Sequence, residues 1–86
     1  MAVLAYKRSA RKALKAMDKA TRQRVMKALS TLANDPHDPS LDTRALVNRP
    51  GFRLRVGSWR ALYRLEDDQV VVLDVLPRGG AYKVRR

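Results

Sequence analysis

Eighty-six residues with 45% apolar content suffice for one small domain with a modest core. Nineteen Lys and Arg against eight Asp and Glu give a formal charge of +11 and a pI near 11.1, the electrostatic footprint of a protein that meets a phosphate-rich partner. No cysteine is present, which excludes disulfides and thiol metal sites, and no apolar run approaches the roughly 18 residues that span a bilayer.

In chain order, residues 1–6 are too short for the apolar core of a signal peptide and lack a basic leader, so a cytoplasmic protein is expected. Residues 2–6 are apolar, include Val3 and Tyr6, and read as a short strand. Ser9 is the expected N-cap of a first helix, in which Ala10, Ala13, Leu14 and Met17 recur at helical spacing while Arg11, Lys12 and Lys15 take the outer face. Asp18 is a good capping residue for a second helix with Val25, Leu29 and Leu32 on one stripe and Met26 and Ala33 beside it. So short a connection predicts an antiparallel helical hairpin.

Asn34, Asp35, Pro36, Asp38 and Pro39 end that helix and open a polar loop, with Leu41, Leu46 and Val47 expected to pin it to the core. Three strands should follow Asn48-Arg49-Pro50-Gly51, over about 52–57, 59–65 and 69–76, with tight turns at Gly57-Ser58 and at Glu66-Asp67-Asp68. The run Val70-Val71-Val72-Leu73 is apolar at every position and predicts a central strand. The fold class is α+β: an N-terminal strand and a helical hairpin packed on a small, mostly antiparallel, twisted sheet.

The strands also carry the chemistry. In Phe52-Arg53-Leu54-Arg55-Val56 the period of two buries the apolar residues and sends Arg53 and Arg55 to the opposite face. Arg60 and Arg64 follow in the next strand, and Arg78 and Tyr82 follow the valine-rich one. A row of guanidinium groups, charged at any cellular pH, complements phosphate through two-pronged hydrogen bonding. His37, the only histidine, lies between prolines and aspartates in a loop and reads as a solvated residue. The acidic turn at residues 66–68 lacks further ligands for a metal, and Gly79-Gly80 reads as a backbone turn between Arg78 and Tyr82. No cofactor or metal is expected.

The order of elements, together with Gly51-Phe-Arg-Leu-Arg-Val, Trp59-Arg-Ala-Leu-Tyr and Pro77-Arg-Gly-Gly-Ala-Tyr82, resembles the RelE/ParE toxin superfamily over nearly the whole chain. Members are the toxin halves of bacterial toxin–antitoxin pairs; RelE-like ones cut mRNA in the ribosomal A site and ParE-like ones poison DNA gyrase. The resemblance implies that Arg53 and Arg55 occupy the two basic positions of the first long strand, Arg60 the arginine after an aromatic residue, and Arg78 and Tyr82 the late pair. This set favours the RelE-like branch: a ribosome-dependent endoribonuclease in which Arg55, Arg60, Arg78 and Tyr82 are catalytic while Arg53, Arg55 and Arg64 bind nucleic acid.

Metal-free cleavage needs a deprotonated, aligned ribose 2′-hydroxyl and neutralisation of charge on the phosphorane. Arginines supply the charge but not the base, which leaves Tyr82 as the base candidate, its phenolate favoured by neighbouring cations. Arg55 stands where many relatives have lysine, and Pro77 where many have histidine, so two ionisable groups of the family are replaced. The implied partners are mRNA, the ribosome and a cognate antitoxin that wraps the domain with an acidic, amphipathic segment in a hetero-oligomer; no membrane is involved. Two alternatives stand beside this reading, a gyrase-inhibiting toxin without nuclease chemistry and a non-catalytic RNA- or ribosome-binding module.

Overall fold

In the computed structural model, which describes residues 2–77, seven elements follow one another. They are β1 (Val3–Tyr6), α1 (Arg8–Ala16), α2 (Lys19–Asn34), β2 (Asp42–Ala45), β3 (Phe52–Val56), β4 (Trp59–Glu66) and β5 (Gln69–Pro77). One five-stranded sheet has the order β1-β5-β4-β3-β2. The β1–β5 pair is parallel and the other three are antiparallel, joined by short hairpins, so the sheet is mostly antiparallel as expected.

Both helices cover one face of this sheet. Ala10 and Leu14 of α1 and Val25, Leu29, Leu32 and Ala33 of α2 join Leu54, Ala61, Tyr63, Val70, Val72 and Val75 in a single buried cluster. Leu29, Leu32, Leu54 and Tyr63 are almost fully enclosed, so truncating one of the leucines to alanine carries the usual core cost of about 2–5 kcal/mol. Val71 points to the other face and is buried as well, which explains why the valine run shows no alternation.

The connection between the helices is held by side chains. Asp18 caps α2, its carboxylate accepting a hydrogen bond from Thr21 N at 3.2 Å; the Thr21 side chain first, and then its backbone amide, hold the carboxyl below its ordinary pKa. Arg22 reaches back from the first turn of α2, and its Nη1 donates to the carbonyls of Leu14 and Met17 at 3.4 and 3.2 Å. These carbonyls lie at the end of α1, where a cation suits the negative end of the helix dipole.

Three local features differ from expectation. The first helix begins at Arg8 with Lys7 at its N-cap and no side-chain cap, not with Ser9, because the backbone leaves β1 through a bond from Lys7 N to Val72 O that sets the turn earlier. Residues 42–45, read as loop, form the edge strand β2; four residues are too few for periodicity to declare itself. Val47, expected to pin the loop, is 81% exposed, whereas Leu41 packs on the core.

Candidate nucleic-acid interface

Register decides what the uncovered sheet face presents, because residues directly opposite on neighbouring strands share a face. One row across the sheet reads Asp42, Arg55, Arg60 and Leu76; the next reads Arg44, Arg53, Leu62 and Asp74. Arg53, Arg55 and Arg60 therefore do stand together, on the side away from the helices. Two like-charged pairs are directly opposed, Arg44 with Arg53 and Arg55 with Arg60. Such pairs cost stability in an isolated sheet and gain from an anion laid across them.

The carboxylates on this face do not neutralise it. Asp42 lies 3.8 Å from Arg53 Nη1 and 3.7 Å from Arg55 Nη1, within ion-pair range but beyond a hydrogen bond, and half of it is exposed. Arg53 is only 13% exposed, and its Nη1 is buried without a hydrogen-bond acceptor among the described residues. A buried donor with no acceptor is costly, so it favours an incoming anion. Asp74 turns to its own backbone, its Oδ1 accepting from Val75 N at 2.9 Å.

Arg64 is different. Its Nε and Nη2 both donate to Glu66 Oε2, at 3.0 and 2.8 Å, so the last arginine of the row is already held by a carboxylate. Arg55 keeps 40% exposure. Arg78, Gly79, Gly80 and Tyr82 lie outside the described residues; Pro77, the last described, pairs with Trp59 beside Arg60. The described tyrosines with shifted acidity, Tyr6 and Tyr63, are both pushed above the usual phenol value by burial, which disfavours the phenolate at neutral pH. Tyr63 is instead a core residue, stacked on Phe52 with ring centroids 5.5 Å apart.

A groove of about 460 Å³ opens on this face between the sheet and the chain after β2. Arg53 and Arg60 line it from the sheet; Arg44 and Arg49, which no motif in the sequence marks, line it from the other wall. The signal for Arg44 is its place in Asp42-Thr43-Arg44-Ala45, where charged residues alternate with small ones, legible only once those residues are known to pair with β3.

Among the described residues no helix is long and apolar enough to cross a membrane, and no three His, Cys, Asp or Glu side chains gather as metal ligands.

Comparison with known proteins agrees with this geometry. The sequence model of the ParE toxin of type II toxin–antitoxin systems matches residues 4–82. A curated Escherichia coli protein named as a putative RelE-like toxin is 28% identical over 67 residues, covering 78% of this chain and 70% of that one. Among solved structures, the toxin–antitoxin complex RelBE2 of Mycobacterium tuberculosis contains a chain that superposes with a TM-score of 0.75 at 27% identity, over 90% of this chain and 98% of the other. The archaeal RelE–RelB complex of Pyrococcus horikoshii gives 0.78 at 24% identity, over 91% and 96%. A family match over nearly the whole length and a shared two-helix, mixed-sheet fold converge on one assignment: the chain belongs to the ParE toxin family of type II toxin–antitoxin systems, within the RelE/ParE superfamily.

Proposed function

We propose that this toxin is a ribosome-dependent endoribonuclease that cuts mRNA without a metal. The observation that carries the reading is the two directly opposed arginine pairs, Arg44 with Arg53 and Arg55 with Arg60, on a sheet face that the helices leave uncovered. In the reaction, the ribose 2′-hydroxyl loses its proton to a base, its oxygen bonds to the adjacent phosphorus, and the bond to the 5′-oxygen breaks as that oxygen takes a proton from water, the base later returning its own to solvent. Arg60, with Arg55 and Arg78, stabilises the extra charge on the phosphorane; Arg53 and, when released from Glu66, Arg64 hold the strand. Tyr82 is the base in this reading, since no arginine can be one. The reaction takes place in the cytoplasm, and the ribosome, as the place where substrate is presented, is what the resemblance to RelE-like toxins implies.

A cognate antitoxin belongs to the same reading. Its acidic, amphipathic segment would meet a +11 surface and form the hetero-oligomer, as the RelE chains of the solved complexes do with RelB. A second reading has its own support: the family model that matches is described as a ParE toxin, which favours a gyrase inhibitor without chemistry. One paired experiment decides. Purified chain is added to programmed ribosomes, with cut positions mapped on the mRNA, and to gyrase in a supercoiling assay. Cleavage with unimpaired supercoiling is expected; inhibited supercoiling with intact mRNA would reverse the assignment.

A further inference from the structure

Four guanidinium groups around one groove are more than a single phosphate needs, and half of that groove is not charged at all. Its second wall is the end of β2 and the chain beyond it, where Leu46 and Val47 stand between Arg44 and Arg49, while Leu62 lines it from β4. Among the described residues no carboxylate lines it. Its volume of about 460 Å³ is in the range of small-ligand sites, roughly 300 to 1,000 Å³. Apolar surface beside convergent cations fits a ligand with one flat apolar part and one anionic part.

The second wall is also built to hold its shape. Leu46 N donates to Gly51 O at 2.9 Å and closes the loop, Asn48 adopts a left-handed conformation with φ 64°, and Gly51 has φ 110°. Asparagine and glycine are the residues that take these conformations most readily. Val47 stays 81% exposed on this closed loop, although a valine gains by burial. Its apolar surface stands open on the same groove as Arg53, whose buried Nη1 has no acceptor among the described residues.

We infer that this groove is a nucleotide subsite for single-stranded RNA, formed by a wall the catalytic assignment does not use. Arg53 and Arg44 take one phosphate, Arg49 meets the next along the chain, and Val47 with Leu46 covers the face of the base. The inference rests on the RNA reading above and extends it to residues that position substrate without reacting. Charge complementarity selects the occupant: four cations and, among the described residues, no anion line the groove, and RNA strands expose bases that can lie on apolar or guanidinium planes.

The test uses the whole chain without ribosomes, with amide NMR shifts titrated by adenosine 5′-monophosphate, inorganic phosphate, adenosine, and adenosine 3′,5′-bisphosphate. The monophosphate should move Leu46, Val47 and Arg49 and bind at least about tenfold tighter than phosphate or adenosine alone, since either half lacks one set of interactions. The bisphosphate, which resembles a unit of chain, should bind tighter still; its rejection would mark a site for free nucleotides and overturn the RNA assignment. Arg44→Gln and Arg49→Gln should each weaken monophosphate binding by roughly tenfold, the scale of one charge-assisted hydrogen bond. Val47→Ser, exposed and harmless to the fold, should weaken the nucleotide by roughly threefold and leave phosphate unchanged. Lys12→Gln on the outer face of α1 removes the same charge elsewhere and should change neither.

Equal affinity for phosphate and nucleotide, shifts away from the loop, or an effect of Lys12→Gln as large as that of Arg49→Gln would overturn the subsite. None of these readings involves cleavage. A chain that binds nucleotide as described but cuts no mRNA leaves the subsite standing and removes the nuclease; a chain that cuts without this preference does the reverse.

Discussion

Arg60 is the residue on which the proposed phosphate chemistry turns in this toxin. It stands directly opposite Arg55 and lines the groove with Arg53, so a phosphate between them meets donors from both strands. Replacing it by alanine removes one preorganised donor while leaving Ala61 and Tyr63, its neighbours on the buried face, in place. Single-turnover cleavage of ribosome-bound mRNA by Arg60→Ala should fall by about 100-fold or more, with thermal stability close to that of the parent chain. Arg60→Lys should recover part of the rate, because the charge returns without the two-pronged grip. A rate equal to the parent's in the alanine variant would remove Arg60 from the chemistry. Arg64 differs in kind: with Glu66 bonded to two of its nitrogens, it contributes to binding only after that pair opens.

At the scale of elements, the β2–β3 hairpin brings Arg44 and Arg49 to the site, and its geometry depends on Gly51. A Cβ at Gly51 would lie 3.0 Å from the backbone carbonyl oxygen of Tyr63 and 3.4 Å from a methyl carbon of Leu46, with φ at 110°. Neither the carbonyl nor the dihedral can yield cheaply. Gly51→Ala should cost about 1–3 kcal/mol, the scale of local backbone strain, and lower Tm by roughly 4 °C or more. Gly57, in the β3–β4 turn, offers a contrast. Its added Cβ would meet the end of the flexible Arg24 side chain at 2.8 Å, at a left-handed φ of 59° that residues other than glycine can reach, so Gly57→Ala should cost less. Thermal melts of the two variants side by side check the order; the reverse order would mean the hairpin end is not held by the close approach to Tyr63.

For the whole molecule, charge is not shared evenly. The outer face of α1 carries Arg8, Arg11, Lys12 and Lys15 around a shallow cavity, and α1 has no acidic residue at all. The open sheet face carries the arginine rows, on the other side of the core. A charge of +11 should therefore give strong, salt-sensitive RNA binding, of which only part reports on the sheet face. Removing one arginine–phosphate pair flattens the slope of log affinity against log salt by about 0.7 for a single strand, so Arg53→Ala with Arg55→Ala should flatten it by somewhat over 1. Titrating a short RNA across a salt series measures it. An unmoved slope would place the RNA on α1 instead.

Sequence alone determined the parts that depend on local order. The stripe of Val25, Leu29 and Leu32, the cap at Asp18, the alternation from Phe52 to Val56 and the unbroken valines of β5 each obey a period or a capping rule that neighbouring residues suffice to express. From them followed the helices, the three long strands, the α+β class, and arginines opposite the apolar face of β3. Tertiary structure alone decided which arginines meet. The cross-strand register of β3 with β4, and of β2 with β3, pairs residues that are not neighbours in the chain, and no local signal encodes it. It joined Arg55 to Arg60 and recruited Arg44 and Arg49 through an edge strand too short to be periodic. The fold also left Val47 in the open, where hydropathy alone would have buried it, because the closed loop holds it on the groove and away from the core.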